Sequence, residues 1–333
     1  LAATNPGFVA TGNGIFWSED GTSWQAAEGV TLAPDDFVAD VAVGADGSLV
    51  AVGVADSYPA VWTSPDGRSW TRVERQPLVF RARGVLSEVT ASDVGWLAVG
   101  EEHGAGLPAR PFLGLWISAD GLVWERVAVE GETPWVCAYV TELLTWEGAV
   151  YALGFRQEPT WNVETPTVWR SQDGWTWGSV DVGRPDGYPN TGAWIEGATA
   201  TDVGLFAVGL EMSWWEAPDT YNLAVWRSTD GLTWSFRPTD FRVEGRSTHG
   251  SDLKPVAGEG QRLVAVELCA YVWASGDAGD TWEQVAELSL STPCVTTDMG
   301  GAAWALAFDG ARFAAVGNDG LNAAFWVGDW AED

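Results

Sequence analysis

Residues 225–234 read VWRSTDGLTW, and the chain writes close variants of that string at FWSEDGTSW (16–24), VWTSPDGRSW (61–70), LWISADGLVW (115–124) and VWRSQDGWTW (168–177). Asp-Gly flanked by apolar residues is a strong hairpin signal. The carboxylate can accept backbone N–H groups inside its own turn, and glycine supplies the positive φ that such turns need. The first tryptophans of the copies are Trp17, Trp62, Trp116, Trp169, Trp226, Trp273 and Trp326, at intervals of 45 to 57 residues. A period near 50 marks propeller blades rather than helical solenoids.

A second marker precedes each copy: FVATG, LVAVG, WLAVG, VYALG, LFAVG, LVAVE and FAAVG, ending at Gly12, Gly53, Gly100, Gly154, Gly209, Glu267 and Gly317. Each is a short apolar run, too short for a helix and bounded by turn residues. Upstream of it lies a stretch rich in small residues, such as VADVAVGAD or IEGATATD. Four strands per unit follow: a small-residue strand A, the AVG strand B, strand C with the first Trp, and strand D from the second. Small residues in strand A suit seven strands crowding one axis. The expected fold is all-β, a seven-bladed β-propeller of four-stranded antiparallel blades in one domain spanning 1–333. Blades are expected near 1–30, 38–75, 84–130, 136–182, 192–238, 252–288 and 300–333. The last copy, FWVGDW, lacks the Ser-x-Asp-Gly turn, so blade seven should have three strands or a stunted fourth. Strand A of blade one, LAAT, is also short.

Formal charge is −29, with 46 acidic against 17 basic side chains. Such a surface repels phosphate backbones and anionic headgroups, which argues against nucleic acid and membrane surfaces as partners. No apolar run is long enough to insert across a bilayer. The chain opens on Leu1, which fits an export segment removed upstream and an extracellular, periplasmic or cell-surface location. Of the three cysteines, Cys269 and Cys294 fall at the same end of neighbouring blades. They could form a disulfide or stay as two buried thiols. Cys137, His103 and His249 make no metal-ligand spacing, and no metal or cofactor is expected. The run APDDFVAD brings Asp35, Asp36 and Asp40 together without the spacing of an EF-hand, and reads as a solvated acidic loop.

The repeated string resembles the Asp-box, or bacterial neuraminidase repeat, of sialidase-like propellers. SGDAGDTW at 275–282 matches Ser-x-Asp-x-Gly-x-Thr-Trp in full, and five copies are one residue shorter. The resemblance implies a structural role for Asp20, Asp66, Asp120, Asp173, Asp230 and Asp277. Turn chemistry says the same: they brace hairpins.

Loop length then separates two rims. The A–B and C–D turns are short and uniform, whereas the B–C and D–A connections read as long and different in every blade. Function concentrates on variable loops carried by a rigid scaffold. That rim carries Trp135, Trp161, Trp214, Trp215, Tyr188 and Tyr221 beside Arg81, Arg83, Arg110, Arg156, Arg242 and Arg246, with His249 nearby. Trp and Tyr next to Arg is the composition of protein-binding hot spots and of sugar-stacking platforms. The leading expectation is a non-catalytic module binding a protein or glycan, with membership of a larger assembly open. Sialidases of the resembled family use an arginine triad, a Tyr/Glu pair and an Asp acid. They are six-bladed and carry a Phe-Arg-Ile-Pro motif that VFRARG at 79–84 only faintly echoes. A sialidase-like or other glycoside hydrolase, with paired carboxylates on the same rim, is the alternative.

Overall fold

Each copy of the repeat folds into one meandering antiparallel sheet in the computed structural model. The structure describes residues 1–103, 112–127, 138–157, 164–183, 192–212, 221–243, 253–267, 271–291, 302–308, 312–319 and 322–329, with backbone alone at 112, 212, 221–222, 238–243, 253–255, 267, 302 and 318. Strands A to D are Ala2–Ala3, Phe8–Thr11, Ile15–Ser18 and Gln25–Ala26 in blade one, and Phe37–Val43, Leu49–Ala55, Tyr58–Ser64 and Thr71–Arg72 in blade two. Blade three has Arg83–Ser92, Gly95–His103, Phe112–Ser118 and Glu125–Arg126. Blade four has Ala138–Trp146, Ala149–Gln157, Glu164–Ser171 and Gly178–Val180. Blade five has Gly192–Thr201, Gly204–Met212, Tyr221–Ser228 and Ser235–Val243, and blade six Leu253–Glu259, Arg262–Glu267, Tyr271–Ser275 and Glu283–Glu287. Blade seven stops at three strands: Ala302–Phe308, Arg312–Asn318 and Ala323–Asp329. The chain is a seven-bladed β-propeller, with no helix among the described residues. It divides into two compact units, Leu1–Tyr151 with Arg170–Gly178, and Ala152–Trp169 with Ser179–Asp333.

Outside blade one, where Gly12 follows Phe8–Thr11, the glycine of the AVG run does not end its strand, as the sequence reading expects. Gly53, Gly100, Gly209 and Gly317 lie inside strand B, each at a place where the register of strand A slips by one residue. The extra residues are Ala39, Ser87, Glu196 and Trp304. A β-bulge bends its strand toward the partner, so the opposite residue must be small. A Cβ on Gly53 would collide with the carbonyl oxygen of Phe37, one on Gly100 with that of Val85, and one on Gly209 with that of Trp194. Blade six has Glu267 at this position. There the irregularity widens to take in Lys254 and Pro255, a residue that bulges tolerate because it has no N–H to pair.

Packing within each unit is blade face on blade face. In the first unit, Val9 and Ile15 of blade one pack with Leu49, Ala51, Trp62 and Trp70 of blade two. Val50, Val52 and Val61 of blade two meet Leu86, Ala98, Trp116 and Trp124 of blade three. In the second unit, Phe206, Val208 and Val225 of blade five meet Leu263, Ala265 and Trp282 of blade six. The strand-C tryptophans Trp62, Trp116, Trp169 and Trp226 are at most 1% exposed. With Trp124 they are the largest fully buried side chains among the described residues.

Candidate functional site

At the C–D end of the sheets the six hairpins share one hydrogen-bond pattern. The serine Oγ accepts the glycine N–H, at 2.9 Å for Ser18–Gly21 and 2.8 Å for Ser64–Gly67 and Ser228–Gly231. The aspartate Oδ1 accepts two more amides of the turn: Arg68 and Ser69 at 2.9 Å for Asp66, Trp175 at 2.8 Å and Thr176 at 2.7 Å for Asp173. In blades one to four the second tryptophan closes the motif, with Trp70 Nε1 donating to Gly67 O at 2.9 Å and Trp124 Nε1 to Gly121 O at 3.0 Å, whereas the indole N–H groups of Trp234 and Trp282 in blades five and six are buried without such a bond. All six glycines are left-handed, with φ from 67° to 83°.

Amide donors favour the charged carboxylate, so the box aspartates titrate low. The amides of Thr176 and then Trp175 hold Asp173 at about 2, and those of Thr233 and Leu232 hold Asp230 at about 2. Asp20, Asp66 and Asp120 are lowered for the same reason. For Asp277 burial works the other way, but the hydroxyl and amide of Thr281 overcome it. Such carboxylates are poor proton donors or acceptors near neutral pH. Their lone pairs are spent on their own turns.

The opposite end of the sheets differs from the reading of its loops. B–C connections are not long in every blade. Blade one uses residues 12–14, blade two the two-residue turn Asp56–Ser57 with φ of 55° and 70°, and blade six residues 268–270. Long B–C connections, 104–111, 158–163 and 213–220, belong only to blades three, four and five. The residues between strands D and A are numerous in every blade.

Several sequence-selected positions lie outside the described residues: Trp135, Trp161, Trp214, Trp215, Tyr188, Arg110, Arg246, His249, Cys137, Cys269 and Cys294. Two others are in strands rather than loops. Tyr221 opens strand C of blade five and pairs with Val243, and Arg242 lies in strand D opposite Asn222, so the sheet brings both to one end of blade five. Strand D there runs to Val243, five residues past the blade end at 238 expected from sequence. Arg83 begins strand A of blade three opposite His103, and Arg156 sits in strand B of blade four. Arg81 is exposed and donates from Nε to Leu78 O at 2.7 Å. Arg83, like Arg81, is exposed, and Arg156 is half-buried.

Buried acids at this end have structural partners. Glu102, 4% exposed, is bridged at 2.8 Å by Arg126, whose guanidinium lies 5.9 Å from the centre of the Trp116 ring. Asp36 accepts the amides of Ala33 at 3.0 Å and Asp56 at 2.9 Å, tying a D–A connection to a B–C turn. Asp40 accepts the amide of Val89 at 2.9 Å, and burial pushes its carboxyl up. Trp194 donates its indole N–H to buried Glu196. Asp36 and Asp40 therefore face separate amides rather than a shared centre. Among the described residues no group of three or more His, Cys, Asp or Glu is placed to hold a metal. No helix there is long and apolar enough to cross a membrane. Sequence reading missed Glu102 and Glu196, and took Asp36, which is buried, for part of a solvated acidic loop, because burial is a signal that one-dimensional pattern does not carry.

No family model matches this chain, and no curated protein matches it. Solved structures do. An α-L-arabinanase of Penicillium chrysogenum complexed with arabinobiose is similar at a TM-score of 0.56 and 14% identity, over 97% of this chain and 98% of that one. A GH93 α-L-arabinofuranosidase of Fusarium graminearum gives 0.55 and 14%, over 96% and 98%. YCF48 bound to D1 peptide gives 0.53 and 14%, over 98% and 88%. At such identity the likeness speaks to the fold alone, and propellers of this shape host both hydrolases and binders.

Proposed function

We propose that the chain is a non-catalytic, extracytoplasmic binding scaffold that recognises a protein or glycan through its B–C and D–A connections. One observation carries the reading: long B–C connections are confined to blades three, four and five, and they bear Arg110, Trp161, Trp214 and Trp215. Aromatic and arginine side chains on long loops over rigid sheets suit recognition. The buried acids described near that end are engaged by amides, by Arg126 or by an indole, which leaves little for proton transfer. YCF48, similar in fold, was solved bound to a peptide. The test is capture of partners from the native source by wild-type protein and by a Trp214→Ala/Trp215→Ala variant, with intrinsic fluorescence read against a glycan panel. Affinity for the captured partner or responding sugar should fall about tenfold or more in the variant. Equal affinity would end the proposal.

A glycoside hydrolase is the second reading, favoured by the arabinanase likeness across nearly the whole chain. It requires turnover of arabinan or a chromogenic arabinofuranoside that one carboxylate substitution abolishes. Absence of turnover on a broad glycoside panel removes it.

A further inference from the structure

The box hairpins of the first unit differ in what they show to solvent. After the box glycine come Thr22 and Ser23 in blade one, and Arg68 and Ser69 in blade two. Blade three has Leu122 and Val123 there, 51% and 64% exposed, and blade four has Trp175, 45% exposed. Val94, in the A–B turn of blade three, is 38% exposed, whereas that turn in blade two, ADG at 45–47, holds no large apolar residue. The hairpins of blades one and two make the same serine and aspartate bonds with polar residues at these positions. The turn therefore does not need Leu122, Val123 or Trp175 in order to fold. Large apolar side chains gathered at a surface without a structural need mark an interaction site.

Packing joins the four into one strip. A Cβ on Gly121 would meet Val50 and Thr63 of blade two, and one on Gly174 would meet Ile117 and Leu97 of blade three, so each hairpin is seated on the blade before it. Trp124 completes the plug over blade two. A Cβ on Gly174 would also lie 3.4 Å from Val94 Cγ2, and one on Gly95 would collide with Ser118 O and Ala119 Cα. Val94 thus stands between the hairpin of its own blade and that of the next. Gln76 steadies the first of these hairpins: its carboxamide donates to Leu122 O at 2.8 Å and accepts the Trp124 N–H at 3.1 Å. The strip crosses the seam of blades three and four on turns that are already fixed.

Charge around the strip selects the occupant. The turns at this end of the two blades, 92–95, 118–124, 146–148 and 171–177, hold Asp93, Asp120, Glu147 and Asp173, all exposed, and no Lys or Arg. Arg126 and Arg170, just outside them, are engaged by Glu102 at 2.8 Å and by the Tyr151 hydroxyl at 3.1 Å. Apolar surface bordered by carboxylates complements apolar surface bordered by cations. A second copy would set −29 against −29, and the same field repels anionic lipid and nucleic acid. One seam away, Arg68 shows the chemistry, bridging Glu19 and lying 4.1 Å from the centre of the Trp17 ring. We propose that this rim of blades three and four binds a basic amphipathic segment of a partner protein. Its apolar side chains cover Leu122, Val123 and Val94, and its Lys or Arg residues meet Trp175, Asp93 and Glu147. The surface lies at the opposite end of the sheets from the long connections and does not depend on the function proposed there.

The probe is a labelled synthetic peptide, Lys-Arg-Leu-Trp-Leu-Arg-Lys between terminal glycines, followed by fluorescence anisotropy with the whole protein. Saturable binding that weakens with added salt is expected. An acidic protein attracts any cationic peptide, so substitutions must locate the contact. Leu122→Thr/Val123→Ser copies Thr22 and Ser23 of blade one, and Trp175→Arg copies Arg68 of blade two, residues that the hairpin already accommodates. Both should melt as wild type does. The first should weaken binding about tenfold, and the second should abolish it by removing an indole and adding like charge. Asp93→Asn/Glu147→Gln should weaken it several-fold and flatten the salt dependence, whereas Trp214→Ala/Trp215→Ala at the other end should leave it unchanged. Replacing the apolar residues of the peptide by alanine should weaken binding about tenfold, and replacing its cations by glutamate should abolish it. If a hairpin variant melts early, these two altered peptides decide the matter. The proposal is overturned by no saturable binding to wild type at ~1 mM, by equal binding of either altered peptide, or by undiminished binding to a folded hairpin variant. Loss of binding in Trp214→Ala/Trp215→Ala, or a dimer in sedimentation that Leu122→Thr/Val123→Ser dissolves, would overturn it as well.

Discussion

Blades two and seven share strands A to C and a strand-C tryptophan, yet their faces meet different fates. Trp62 of blade two is 1% exposed and sealed beside Trp70 and the Gly67 hairpin. Trp326 of blade seven is half-buried and borders an open cavity. The strands build a blade, but the hairpin closes the seam to its neighbour. A motif that looks like local turn chemistry is also a tertiary contact: its glycine has no Cβ because the preceding blade occupies that space.

Substituting the two kinds of tryptophan gives the largest expected contrast. Trp124→Ala removes a buried plug and should cost about 3–5 kcal/mol in urea denaturation. Trp326→Ala, beside space that is already open, should cost about 1–2 kcal/mol. Comparable losses would mean that the hairpin indole is not the closing element. The bulge glycines give a smaller contrast. Gly53→Ala forces a methyl against the Phe37 carbonyl and should destabilise by about 1–3 kcal/mol, whereas Gly328→Ala meets nothing within 4 Å and should stay within about 0.5 kcal/mol of wild type.

The smallest effect is the response to acid. Asp173 and Asp230 are held at about 2, below the ordinary 3.8, because their charged forms accept turn amides. A depressed native pKa stabilises the fold above the unfolded value, so this contribution is complete above about pH 4 and is withdrawn as pH falls toward 2. Amide resonances of Thr176 and Thr233 should titrate with midpoints near 2, and Asp173→Asn should remove the first without moving the second. Blade seven, which has no such aspartate, should show no corresponding transition.

Much of this was legible in one dimension because it recurs. Asp-Gly between two tryptophans, written five times with constant spacing and a sixth time with one extra residue, specifies a hairpin through interactions four residues long, and the broken seventh copy specifies a shorter blade. The AVG glycine was visible but misread. Gly53 looks like a strand terminator in sequence, and only the pairing of strands A and B shows it lying across from a bulge. Tyr221 and Arg242 looked like loop residues because strand D of blade five runs longer than its counterparts and carries the pairing with strand C out to Tyr221. Glu102 was indistinguishable from the other acids until folding enclosed it beside Arg126, and Asp36, read as part of a solvated loop, is instead enclosed with the Asp56 amide.

Sequence by itself determined the number of sheets, the strand order within each, and the chemistry that turns strand C into strand D, since these depend on local periodicity and on side chains bonding to their own backbone. Tertiary structure decided which faces are sealed and which stay open. Whether the valines of one blade are covered depends on the hairpin of the next, some fifty residues away, and no local pattern within a blade records it.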